Sequence, residues 1–93
     1  MNEDDFEWDT RKATGNLTKH KISFEIARYV FDDPAAIEEV DDRENYGEDR
    51  FNIIGVVSGR VIIVTYAIRR RIRLISARMA TSVERKRYHE ENS

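Results

Sequence analysis

No cysteine occurs in the 93 residues, so neither a disulfide framework nor thiolate chemistry is available. Histidine is almost as scarce. With only His20 and His89 present, a histidine-built metal site is not expected, and no cofactor is implied. No apolar run approaches the ~20 residues that a bilayer-spanning helix needs. The start, Asn2 to Asp5, is acidic and cannot act as the basic region of a signal peptide. These absences predict a cytoplasmic protein with no membrane contact. Repeats, low-complexity tracts and linkers are lacking too. Residues 1–93 are therefore expected to form a single domain, just large enough for a modest core.

Charge is plentiful, at 37% of residues, and unevenly placed. Residues 1–49 hold 15 acidic and 6 basic side chains, a balance of −9; residues 50–93 hold 3 and 10, a balance of +7. The net charge of −2 thus hides a basic half that could face an anion, because binding follows local potential. The acidic stretch Asp32 to Asp49 lacks the spacing and central glycine of an EF-hand loop and is read as a solvated, anion-repelling edge.

Hydrophobic periodicity and capping residues place the elements. Asp9 is a good N-cap for a helix to about His20, with Ala13 and Leu17 inward and Lys12, Asn16 and Lys19 on another face. Ser23 can cap a second helix, in which Phe24, Ala27, Val30 and Phe31 form an apolar stripe ended by Asp32-Asp33-Pro34. A short strand is possible at Ala36 to Val40. Three more are predicted: Arg50 to Val57, Arg60 to Ala67 and Arg71 to Ala77. Ser58-Gly59 joins the first two as a two-residue hairpin turn. Arg60 to Ala67 is β-branched on both faces, which suggests a central position. Thr81 and Glu84 form a capping box for a last helix to about Glu91. The fold class is α+β, in the order ααββββα, with an antiparallel sheet packed against helices.

The stretch RRRIRLISARMATSVERKRY, residues 69–88, carries more arginine than a strand in a small domain needs. It is either an edge defended by charge or a surface for an anion. Strict alternation sets Arg71, Arg73, Ile75 and Ala77 on one face and Ile72, Leu74, Ser76 and Arg78 on the other. Arg73 and Arg78 then converge only if the strand ends, bulges or twists near Ser76.

The segments FEWDTRKATGNLTKHKISFEIARYVFDDP, GEDRFNIIG and RIRLISARMATSVERKRY together resemble the BrnT family, toxins of bacterial type II toxin–antitoxin pairs. The resemblance runs from Phe6 to Tyr88. It implies a RelE-like fold, an endoribonuclease acting on RNA, and a cognate, DNA-binding antitoxin of the BrnA type. Operator DNA would be contacted only through the antitoxin complex. The chain departs from the family pattern at Lys21, where glycine usually ends the first helix, and at Met79, where lysine is common. It also has Ile68-Arg69-Arg70 where the last hairpin usually carries glycine. A left-handed cap without glycine costs about 1 kcal/mol, which favours a different helix ending.

RNA cleavage without a metal needs a base for the ribose 2′-hydroxyl, an acid for the leaving 5′-oxygen, and cations for the charge developing on phosphorus. Arginine suits the last role, since its planar fork bonds two phosphate oxygens. Arg73 and Arg78 are the candidates, and the resemblance adds most weight to Arg78. The helix beside them is expected to brace them. His20 is a candidate acid or base, although a histidine ending a helix also caps carbonyls. Glu48, in Gly47-Glu48-x-Arg50, is the other candidate base. Lys12, Arg69, Arg71 and Tyr88 are candidate RNA contacts; Trp8 fits core packing better than base stacking. Two rivals remain: a toxin-like module serving only as partner or corepressor of a DNA-binding antitoxin, and a regulator acting through protein contacts alone.

Overall fold

Eight regular elements are present in the computed structural model, which describes residues 1–43 and 47–93. Residues 44–46, inside the acidic stretch, lie outside the described residues. In chain order the elements are β1 (Phe6–Glu7), α1 (Thr10–His20), α2 (Phe24–Ala27), β2 (Ile37–Asp41), β3 (Arg50–Val57), β4 (Arg60–Ile68), β5 (Ile72–Met79) and α3 (Ser82–Glu91). A 3₁₀ segment, Arg28–Asp32, prolongs α2. No described helix is long and apolar enough to cross a membrane.

The expected caps form. Asp9 accepts from the Lys12 N–H, Ser23 accepts from the Ile26 N–H, and Thr81 and Glu84 close a capping box at α3. The β3–β4 turn has positive φ at both central residues, 52° at Ser58 and 77° at Gly59, which matches the twist of an antiparallel pair. Lys21 takes the left-handed cap after all, at φ 61°, with its N–H on the Leu17 carbonyl at 2.9 Å. The expected different ending does not occur.

The sheet order is β1-β5-β4-β3-β2. As expected, β4 is central. β5 is not an edge, because β1 pairs parallel with it, Phe6 opposite Ile72 and Glu7 opposite Arg73. That pair makes the sheet mixed rather than purely antiparallel. Two residues are too few to leave an alternating pattern in a sequence.

A larger core on one face joins Phe24, Ala27 and Val30 to Ile53, Val57, Ile62, Val64, Tyr66, Leu74 and Ala77. A smaller one on the other face joins Ile54, Val61 and Ile63 to Ala80 and Tyr88, so α3 lies there. The 3₁₀ segment packs directly on β3 at Gly55, where a Cβ would meet Val30 Cγ2 at 2.9 Å. The inward face of α1 is only in part the expected one: Ala13 packs on the larger core, but its expected companion does not. Leu17 is 49% exposed, whereas Asn16 is 7% exposed. Asn16 Nδ2 donates to the Ile22 carbonyl and its Oδ1 accepts from the Ala77 N–H, both at 2.9 Å. β1 pairs with β5 only at Ile72 and Arg73, so beyond it a polar side chain satisfies the strand's outer edge.

Candidate functional site

The geometry of the site follows from one irregularity in the β4–β5 ladder. Thr65 faces Ser76 and Tyr66 faces Leu74, which leaves Ile75 as an extra residue in β5. The bulge reverses the alternation beyond it. Leu74 and Ala77, three apart, both enter the larger core. Arg73 lies opposite Ala67 and Arg78 opposite Ile63, positions four apart on β4 and therefore on one face. The two arginines that strict alternation would separate thus share the face covered in part by α3.

Cross-strand registers complete the surface. Arg50 lies opposite Ala67 and Asn52 opposite Thr65 on β3; Asp41 and Glu39 of β2 follow. Glu7 of β1 stands beside Arg73. α3 closes the apolar end, while the rows carrying Arg73, Arg50, Ser76, Thr65 and Asn52 form its polar end. Thr65 donates to Asn52 Oδ1 at 2.7 Å, fixing the amide within this row.

Each arginine is held by a carboxylate. Arg73 Nη1 reaches Glu7 Oε2 at 3.1 Å. Arg78 makes a two-point bond to Glu84, Nη1 to Oε1 at 2.8 Å and Nη2 to Oε2 at 3.0 Å. That bond from Arg78 is the main reason the Glu84 carboxyl is held at about 2; burial opposes it and the Thr81 N–H adds to it. Arg43 grips Asp41, whose side chain is fully buried, and chiefly through that bond holds its carboxyl below the usual range.

The remaining sequence candidates divide by place. Glu48 accepts from Arg69 Nη2 at 2.9 Å and stands 3.9 Å from Arg50 Nε, so it joins the arginine cluster at the β3 entrance. Arg71 is exposed in the β4–β5 turn. Lys12 is exposed in the first turn of α1, and His20 is half-buried in its last. That helix packs against β5 with Ala13 on the larger core, away from the face of Arg73 and Arg78. Tyr88 must be withdrawn as a base-stacking residue. It is 6% exposed, its ring lies in the smaller core, and its hydroxyl donates to Asp33 Oδ2 at 2.6 Å. Trp8 is half-buried and edge-on to Phe24, as core packing required.

Sequence reading missed Arg50, Asn52 and Thr65 as parts of this face, set Ser76 beside Arg78 by alternation, and knew Glu84 only as a helix cap. Only strand pairing announces the first three. The spacing of six between Arg78 and Glu84, across a strand end and a cap, is no recognised local pattern.

A family model described as ribonuclease toxin, BrnT, of type II toxin-antitoxin system matches residues 8–84. No curated protein matches the chain.

Proposed function

Because the chain belongs to the BrnT family of ribonuclease toxins of type II toxin–antitoxin systems, we propose that it cuts RNA on the polar face of its sheet, without a metal, using arginines to hold the scissile phosphate. The observation that carries this reading is the bulge at Ile75, which sets Arg73 and Arg78 on one face with Arg50 between β4 and β2. A phosphate there would meet guanidinium donors already fixed by carboxylates, so little reorganisation is needed as charge builds.

The reaction follows from these groups. The ribose 2′-oxygen attacks phosphorus and loses its proton to a base; the 5′-oxygen leaves and gains a proton. A 2′,3′-cyclic phosphate and a 5′-hydroxyl result. Glu48 takes the base role in this reading, since it is the sequence candidate beside Arg50 and Arg69. His20, the other acid or base candidate of the sequence, ends α1, which packs away from the face of Arg73 and Arg78, so capping is the role this reading leaves it.

Type II organisation implies an antitoxin as partner and RNA as substrate. We take the antitoxin to be BrnA-like and DNA-binding, with operator contact made through the complex and the pair residing in the cytoplasm. The exposed Arg71 beside Arg73 is the cationic surface it would cover. Arg87 of α3 is already paired with Glu39 and Glu91.

The non-catalytic reading draws on the same ion pairs, since Arg73, Arg78 and Arg69 all have carboxylate partners within the chain. Purified protein incubated with RNA in the presence of a chelator separates the two. The proposal expects cleavage that persists in chelator and falls steeply in Arg78→Lys, which keeps the charge but loses the fork. Undiminished cleavage in a folded Arg78→Lys protein would overturn it.

A further inference from the structure

Arginine carries five N–H donors and presents two edges that match a pair of oxygens. One edge, end-on, is formed by Nη1 and Nη2. The other, side-on, is formed by Nε and the outward N–H of Nη2. In Arg78 the end-on edge is filled by Glu84, at 2.8 and 3.0 Å. The second N–H of Nη1 goes to the Met79 carbonyl at 3.2 Å. Among the described residues, no hydrogen bond engages Nε or the outward Nη2 donor. One two-donor edge is therefore left, and its direction is set by the other three donors.

Glu84 is itself held. Its Oε1 accepts the Thr81 N–H at 2.8 Å, and its own N–H donates to Thr81 Oγ1 at 3.2 Å. The carboxylate is thus tied to the first turn of α3, and α3 is anchored by Tyr88 on Asp33 and by Ala80 and Tyr88 in the smaller core. A chain of fixed contacts runs from the core through α3 to the guanidinium plane.

We propose that Glu84 is a positioning residue, which presents the side-on edge of Arg78 to the scissile phosphate of RNA. The inference rests on the ribonuclease reading above and adds a residue to it. Glu84 touches no substrate; it acts through Arg78. Its ionised state across the working range is consistent with this, as the carboxyl sits at about 2. An arginine free to swing would still bind phosphate through its charge but would meet the reacting geometry less often. The loss should appear in kcat more than in KM.

The test uses the full-length protein and a mixed-sequence RNA oligonucleotide bearing a fluorophore and a quencher. Glu84→Gln keeps the size and the acceptor for the Thr81 N–H but offers Arg78 only one oxygen. It should lower kcat about tenfold or more and change KM less than about threefold. Thr81→Ala weakens the cap while leaving the Arg78 contact, so its kcat should stay within about twofold of wild type once melting shows it folded. In an Arg78→Lys background, Glu84→Gln should have almost no further effect, because the residue it positions is gone. An equal loss of kcat in Thr81→Ala and Glu84→Gln would reduce Glu84 to a helix brace and overturn the inference. So would a Glu84→Gln effect that persists in full beside Arg78→Lys. Both leave the ribonuclease reading standing. If Arg78→Lys itself cleaves like wild type, or wild type cleaves no RNA, the site assignment falls and this inference falls with it.

Discussion

Replacing Asn16 by alanine should destabilise the protein far more than replacing Leu17, the reverse of what their side chains suggest. Asn16 is buried and bridges two backbone groups, the Ile22 carbonyl and the Ala77 N–H, each at 2.9 Å. Alanine leaves both groups without those bonds. An unsatisfied buried polar group costs roughly 1–3 kcal/mol, and α1 can relax to readmit water at one of the two sites, so a loss of about 2–4 kcal/mol follows. In a domain of this size 1 kcal/mol moves Tm by roughly 4–8 °C, which predicts a fall of roughly 10–25 °C. Leu17 is half exposed, and Leu17→Ala should cost about 1 kcal/mol or less, a few degrees. Urea titration with thermal melting by circular dichroism measures both, provided that the m-value is unchanged. Asn16 also braces β5 two residues past the bulge, so cleavage by Asn16→Ala should drop even where it is fully folded. A Tm within 3 °C of wild type, or a larger loss for Leu17→Ala, would refute the argument.

Three further outcomes are expected. Lys21→Gly relieves a left-handed lysine at φ 61° and should stabilise the protein by about 1 kcal/mol, read as a rise in urea midpoint. The Glu84 carboxyl is depressed from its ordinary 4.5 to about 2, so the stability it contributes is complete above pH 4.5 and is lost as pH falls toward 2. The full shift corresponds to about 3 kcal/mol, which screening at a quarter-exposed pair reduces to about 1–2 kcal/mol; Glu84→Gln should flatten that part of the pH–stability curve, and an unchanged curve would show that another group dominates. Arg71→Glu with Arg73→Glu should slow antitoxin association several-fold at low salt and less at high salt in stopped-flow measurements; an unchanged rate alongside lost RNA binding would place the antitoxin on another surface.

The sequence by itself determined what is local. Asp9, Ser23 and the Thr81–Glu84 box cap their helices, and Ser58-Gly59 turns the hairpin, because each depends on hydrogen bonds spanning four residues or fewer. The strand at Arg50–Val57 and the central place of Arg60–Ile68 were legible from β-branched patterning. The tertiary structure alone decided the rest. β1 exists because β5 has an outer edge to share, and α1 turns Asn16 inward because that edge needs an acceptor beyond β1. Tyr88 went to the core because Asp33, 55 residues earlier, takes its hydroxyl. Above all, the side on which Arg78 emerges depends on which residue of β5 is left over against β4, and side-chain alternation inverts at that one position. A pattern of period two, read along one strand, carries no record of an extra residue; it is set by the partner strand, and with it the face on which two arginines meet.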